Sequence, residues 1–114
     1  MIRGSTPQHT FTLPFVPPEG CEYRIVYAQG ENYKENILFE RTTETITVDG
    51  SKLSIRLTSD ETLLFNCTPH WHDGRLMPKP VKIQVGVKTP NDEVLWSNII
   101  ETTVSRCLRK DGKV

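Results

Sequence analysis

Nine consecutive residues, PVKIQVGVK at 80–88, limit what this chain can fold into more than any other feature of it. Val81, Ile83, Val85 and Val87 alternate with Lys82, Gln84, Gly86 and Lys88. Successive side chains on an extended strand point to opposite faces, so a period of two gives one apolar face and one polar face. A helix would spread the same valines around its axis and bury few of them. The segment is therefore a strand with one face on a core, as in antiparallel sheets.

The same period recurs along the chain. HTFTLPF sets Phe11, Leu13 and Phe15 against Thr10 and Thr12, and Pro14, Pro17 and Pro18 end that strand. EYRIVYAQ sets Tyr23, Ile25 and Tyr27 against Arg24, Val26 and Ala28, while YKENILFE reads as a shorter, less regular strand. In TETITVDGSKLSIRLT, Ile46 and Val48 share one face of a strand, and Leu53, Ile55 and Leu57 one face of the next. The Asp49-Gly50 pair between them tolerates the positive φ of a hairpin turn. EVLWSNIIETTVSR, after the turn TPND, reads as the strand that pairs with 80–88. Only TSDETLLF suggests helix, as one turn capped by Thr58 or Ser59 with acidic residues in its first positions.

Short strands about ten residues apart, joined by turn signals, define an antiparallel β-sandwich of immunoglobulin-like size, with about seven strands and one short helical turn. The Cys…Trp…Cys spacing of antibody domains is absent. A chain of 114 residues with 36% hydrophobic and 25% charged residues forms one ordered domain, 1–114. Residues 1–7 are expected to be a flexible N-terminal arm and 108–114 a flexible tail.

Fourteen basic and fourteen acidic residues cancel, and the only basic cluster is RCLRKDGK near the C-terminus, so nucleic acid is not an expected partner. No apolar run reaches membrane-spanning length and the first residues do not read as a signal peptide, so no membrane role is expected. Three widely spaced cysteines, Cys21, Cys67 and Cys107, do not read as a disulfide framework. Synthesis in a reducing cytoplasm is the corresponding expectation.

The segment NCTPHWHDGRLMPKP, 66–80, is chemically the richest. Thiolate and imidazole are the preferred zinc ligands, and Cys67, His70 and His72 are close enough in sequence to share one ion, with Asp73 or His9 as a fourth ligand. Structural zinc more often uses two separated ligand pairs, and here the neighbouring ligands fall in one short run. The plainer reading is a surface loop in which Trp71 packs down and the histidines face water. No metal or other cofactor is expected. Cys67 beside His70 is the one nucleophile–base pair, against which stands the ordinary role of a small apolar residue at a loop edge. Asp60 and Glu61 are adjacent and suited to capping a helical turn rather than to acting as separated acid and base. No phosphate loop, Ser-His-Asp order or dinucleotide fingerprint occurs, so no enzymatic activity is expected. Trp71, Trp96, Tyr33 and Tyr23 have the aromatic faces of a sugar-binding platform. Their scatter over the sequence favours core packing or a protein interface.

MIRGSTPQHTFTLPF, YRIVYAQG, SIRLTSDETLLF, VKIQVGVKT and SNIIETTVSRCL together resemble a group of short proteins encoded among the virion-structure genes of tailed phages and prophages of gut Firmicutes. LTSDETLLF and the alternating strand after it are also similar, more loosely, to the N-terminal sandwich of phage baseplate upper proteins. The resemblance implies a non-enzymatic structural or tail- and baseplate-associated protein. It would act through contacts with other virion proteins or further copies of itself, and would end in the virion if the phage is active. The 66–80 segment is longer than the resemblance leads one to expect. Extended loops on rigid sandwiches collect partner contacts, which makes Trp71, His70, His72 and Arg75, with Tyr33, the expected interface. A module recognising host cell-wall carbohydrate through Trp71 and Tyr33 is the alternative from a different class.

Overall fold

The alternating segments all become strands in the computed structural model, which describes residues 1–31, 34–67, 70–72, 74–77, 79–109 and 111–114. In chain order these are β1 (Gln8–Thr12), β2 (Glu22–Glu31), β3 (Lys34–Thr42), β4 (Thr47–Asp49) and β5 (Lys52–Arg56). The helix α1 (Ser59–Leu63) follows, then β6 (His70–His72), β7 (Arg75–Met77), β8 (Pro80–Lys88), β9 (Val94–Trp96) and β10 (Ile100–Thr103). A 3-10 turn, Thr43–Thr45, joins β3 to β4. All pairings between named strands are antiparallel.

Two sheets pack face to face as a β-sandwich. The smaller has the order β1-β5-β4, and the larger the order β10-β8-β2-β3 with β9 also on β8. Eight strands thus make the two layers, one more than the sequence pattern suggests. The inward row of β8 is as expected, with Val81, Ile83, Val85 and Val87 no more than 3% exposed. Tyr23, Ile25 and Tyr27 of β2 lie beside them, and Leu53, Ile55 and Leu57 face them from the smaller sheet. Replacing Val85 by Ala should cost about 1–3 kcal/mol through lost burial and a residual cavity. Lys82→Ala, on the opposite face, should stay within about 0.5 kcal/mol. Urea melts that shift equally for both would contradict this register.

The extra strand arises from a bulge. EVLWSNIIETTVSR does not run as one strand: β9 pairs Trp96 with Gly86, β10 pairs Ile100 with Ile83, and 97–99 face only Gln84 and Val85. Ser97 closes the gap, its Oγ accepting from the Val85 N–H at 3.0 Å and its carbonyl accepting from Gln84 Nε2 at 2.9 Å. A second bulge makes β3 a full nine-residue strand where a weaker one was expected. Its register slips between Tyr27 and Ala28, leaving Leu38 unpaired, so that Leu38 and Phe39 both pack on the core. Consecutive residues cannot share a face of a regular strand, which is why simple alternation underestimates β3.

Two further expectations are corrected. The 4–5 hairpin turns at Gly50-Ser51 rather than at Asp49-Gly50: Asp49 pairs with Lys52, and only Gly50 has positive φ, at 60°. Segment 66–80 is not an irregular loop, because β6 and β7 form a separate two-stranded ribbon with Trp71 opposite Leu76. Residues 1–7 make several contacts with the body of the fold. Gly4 is buried, its N–H donating to Thr62 Oγ1 at 2.9 Å, while Ser59 Oγ donates to Gly4 O at 2.7 Å. Leu57 N donates to Pro7 O at 2.9 Å, and Ile2 bridges Ser105 in parallel. Of the expected tail, Gly112 packs on Gly4, where a Cβ on either would lie 2.7 Å from the other's Cα. Strand-forming pattern cannot reveal these contacts, since they join segments some 60 and 100 residues apart through backbone and hydroxyl groups.

Candidate functional site

The outer face of the larger sheet is built from the polar half of each alternation, yet it is not uniformly polar. Its register places Trp96, Gly86, Arg24 and Thr42 in one cross-strand row, and Lys82, Ala28 and Ile37 in another. Between them lies a row with Gln84, Val26 and Glu40. Cross-strand ion pairs hold the surface: Arg24 Nη1 with Glu40 at 3.1 Å, and Lys82 with Glu35. Two concavities open on this face.

The larger, about 780 Å³, lies at the end of the sheet where β8 and β9 meet the 3-10 turn. Trp96 forms one wall, half exposed at 50%. Its ring covers Gly86: a Cβ there would lie 2.6 Å from Cζ3 and 2.8 Å from both Cε3 and Cη2. Three consecutive ring atoms nearly equidistant from one point put the indole face, not its edge, over the glycine. Any larger residue at 86 would lift the ring off the sheet. Around it stand Glu22, Arg24, Glu44 and Lys88, with Thr42 and Thr43 on the far side. Thr43 Oγ1 accepts from Tyr23 N at 2.9 Å and so pins the 3-10 turn to β2.

The smaller concavity, about 270 Å³, is lined by Val26, Ala28, Ile37 and Ile99, with the Lys82–Glu35 pair at its rim. Ile37 is 62% exposed and Ile99 52% exposed. The bulge at 97–99 is what brings Ile99 to this surface.

A third group of chemically capable side chains sits between the layers. His9 Nδ1 and the Tyr27 hydroxyl share a hydrogen bond of 2.7 Å, and Tyr27 stacks on Phe39 with ring centroids 4.6 Å apart. Burial pushes the Tyr27 phenol well above its usual range and lowers His9 below the ordinary imidazole value. Nearby, Arg41 Nε donates to Glu61 Oε2 at 2.7 Å and Arg41 Nη2 donates to the Arg56 carbonyl at 2.8 Å. Glu61 also closes the capping box of α1, accepting from Thr58 N at 2.8 Å. Burial alone would raise the Glu61 carboxyl, but the bonds from Arg41 and Thr58 outweigh it and hold the group below the usual carboxylate range. Each of these polar groups is satisfied by a neighbour in the fold, which marks the group as a clamp between the sheets and α1.

The residues singled out from sequence are only partly brought into view. Arg75 is exposed on β7, and Cys67 is half-buried and packed against the core. The side chains of His70, Trp71 and His72, and Tyr33 and Asp73 altogether, lie outside the described residues. His9, a possible fourth zinc ligand by residue type, is engaged with Tyr27 instead. Among the described residues no three His, Cys, Asp or Glu side chains converge on a metal position, and all three cysteines are free thiols. No described helix is long and apolar enough to cross a membrane. Of the four aromatics weighed as a platform, Tyr23 is buried and Trp96 has an open face. Sequence reasoning missed Ile37, Ile99 and the role of Gly86. A glycine in an outward position of an otherwise regular strand is the signal that something lies over it.

The fold and this surface together define a β-sandwich with an aromatic-walled cleft and an adjoining aliphatic depression on one sheet face. No protein-family model, curated protein or solved structure matches the chain.

Proposed function

We propose that the chain is a non-enzymatic component of a tailed-phage or prophage particle, acting through protein–protein contacts made by the outer face of its larger sheet. The observation that carries this reading is the aliphatic depression of Val26, Ala28, Ile37 and Ile99, with its two isoleucines more than half exposed. Clustered exposed aliphatics rimmed by charge are the ordinary composition of an interface centre. Strand β3, at the sheet edge, carries the exposed Glu35 and Glu40 along its length. Charged edges discourage strand addition, so face contact is favoured over edge pairing. The 66–80 segment, with Arg75 exposed, adds a second contact region.

The partner is another virion protein or a further copy of this chain. Ile37→Glu with Ile99→Glu should leave the melting temperature close to wild type, because neither side chain is in the core. The same pair should lose co-purification with particles, at about 2 kcal/mol or more of binding for a hot-spot position. Normal incorporation of a normally folded double variant would remove this face from the assembly role.

A further inference from the structure

We propose that the cleft walled by Trp96 is a binding site for a neutral saccharide, which stacks a pyranose ring on the exposed indole face. The inference is independent of the assembly role and uses a different part of the sheet.

Three observations carry it. First, Trp96 is held by its contact with Gly86, so one face is spent on the sheet, while the residue as a whole stays 50% exposed and lines the cleft. An aromatic surface held in place stacks on a flat apolar face at little cost in side-chain freedom. The C–H face of a pyranose is such a partner. Second, the charged groups around the ring leave no surplus of positive charge. Glu22 and Glu44 stand beside Arg24 and Lys88 in the lining. Arg24 and Lys88 are further neutralised by Glu40 at 3.1 Å and Asp92 at 3.7 Å. A groove for single-stranded nucleic acid needs net positive charge beside its aromatics, and an acidic glycan needs the same. Third, the rim mixes acceptors with donors. The Glu22 and Glu44 carboxylates accept only and have no hydrogen-bond or ion-pair partner among the described residues, whereas Lys88 donates only and the Thr42 hydroxyl does both. A ligand with hydroxyls on adjacent carbons offers donors and acceptors in alternation, and satisfies such a rim without carrying charge. A peptide strand would instead seek unpaired backbone at a sheet edge, and the centre of this cleft lies over β8 and β2, whose backbones are paired on both sides.

The test is a panel of immobilised neutral oligosaccharides built from glucose, galactose, rhamnose and N-acetylglucosamine, followed by calorimetric titration of the best binder. A complex is expected, and raising sodium chloride from about 0.05 to 0.5 M should leave its affinity within about twofold, since screening acts on charges and the ligand has none. Trp96→Ala should weaken binding about 10- to 100-fold, the range that aromatic stacking contributes in open grooves. Should that variant fold poorly for loss of its contact with Gly86, Glu44→Ala serves instead, because Glu44 is exposed and holds no other group among the described residues. It should weaken binding about tenfold or more, as a lost hydrogen bond to a charged acceptor does. No binding to any saccharide of the panel at about 5 mM would overturn the proposal. So would binding left unchanged by both variants, or selective binding of acidic saccharides or a proline-rich peptide. Particle incorporation reports separately on the assembly role, through Ile37 and Ile99.

Discussion

Tyr27→Ala should be the most damaging single substitution in the sandwich, at about 3–5 kcal/mol, the range for a large aromatic removed from a closed core. The ring is 0% exposed and stacks on Phe39 at 4.6 Å and 16°, on His9 at 5.8 Å and 25°, and tilts against Phe65 at 6.2 Å. Strand β1 in the smaller sheet, β3 in the larger and the end of α1 therefore meet on one side chain. Small domains have only about 5–15 kcal/mol in total, so the variant is left marginal. Tyr27→Phe separates the two parts of the effect. It keeps the ring and removes only the hydroxyl bonded to His9, for an expected cost of about 1 kcal/mol. Urea denaturation followed by far-ultraviolet circular dichroism measures both. A Tyr27→Ala midpoint within error of Tyr27→Phe would mean that the stack does not hold the layers together.

Glu61→Ala should cost about 2–4 kcal/mol, more than an ordinary ion pair on a surface. The Arg41 and Glu61 side chains are only 13% and 18% exposed, so the substitution leaves a guanidinium with little water around it. It also removes the acceptor of the Thr58 N–H and with it half of the capping box. Glu61→Gln keeps much of the geometry and loses the charge, so it should fall between wild type and Glu61→Ala. A double-mutant cycle with Arg41→Met isolates the pair from the cap.

Acid should expose the same two clusters in turn. His9 has a native pKa below its ordinary 6.5, so the unfolded chain takes up its proton first. Stability from this group is complete above about pH 6.5 and declines as pH falls below it. Glu61 has a native pKa below its ordinary 4.5, and its contribution is present above that value and lost as pH falls through the lowered one. Melting temperatures between neutral and acid pH should therefore fall in two stages, the upper flattened by His9→Gln and the lower by Glu61→Gln. A wild-type profile with no slope just below about pH 6.5 would remove His9 from the balance.

The alternation of apolar and polar residues determined by itself that β1, β2, β5 and β8 are strands and which residues of each are buried. It works there because a side chain's face depends only on whether its position is odd or even. A capped helical turn at Thr58 or Ser59 was equally legible, since a cap and its third following residue are neighbours in sequence, and the structure chose Thr58. Tertiary structure decided everything that depends on register. The bulges at Leu38 and 97–99 reset which face the next residue takes, and only pairing with a neighbouring strand reveals them. The docking of residues 1–7 on α1 depends on Thr62, a buried threonine with no mark in the sequence. Trp96 was visible as one aromatic among several. Its standing as a wall of the cleft came from the pairing of β9 with β8, which sets it opposite the one residue of that strand without a side chain to keep it away.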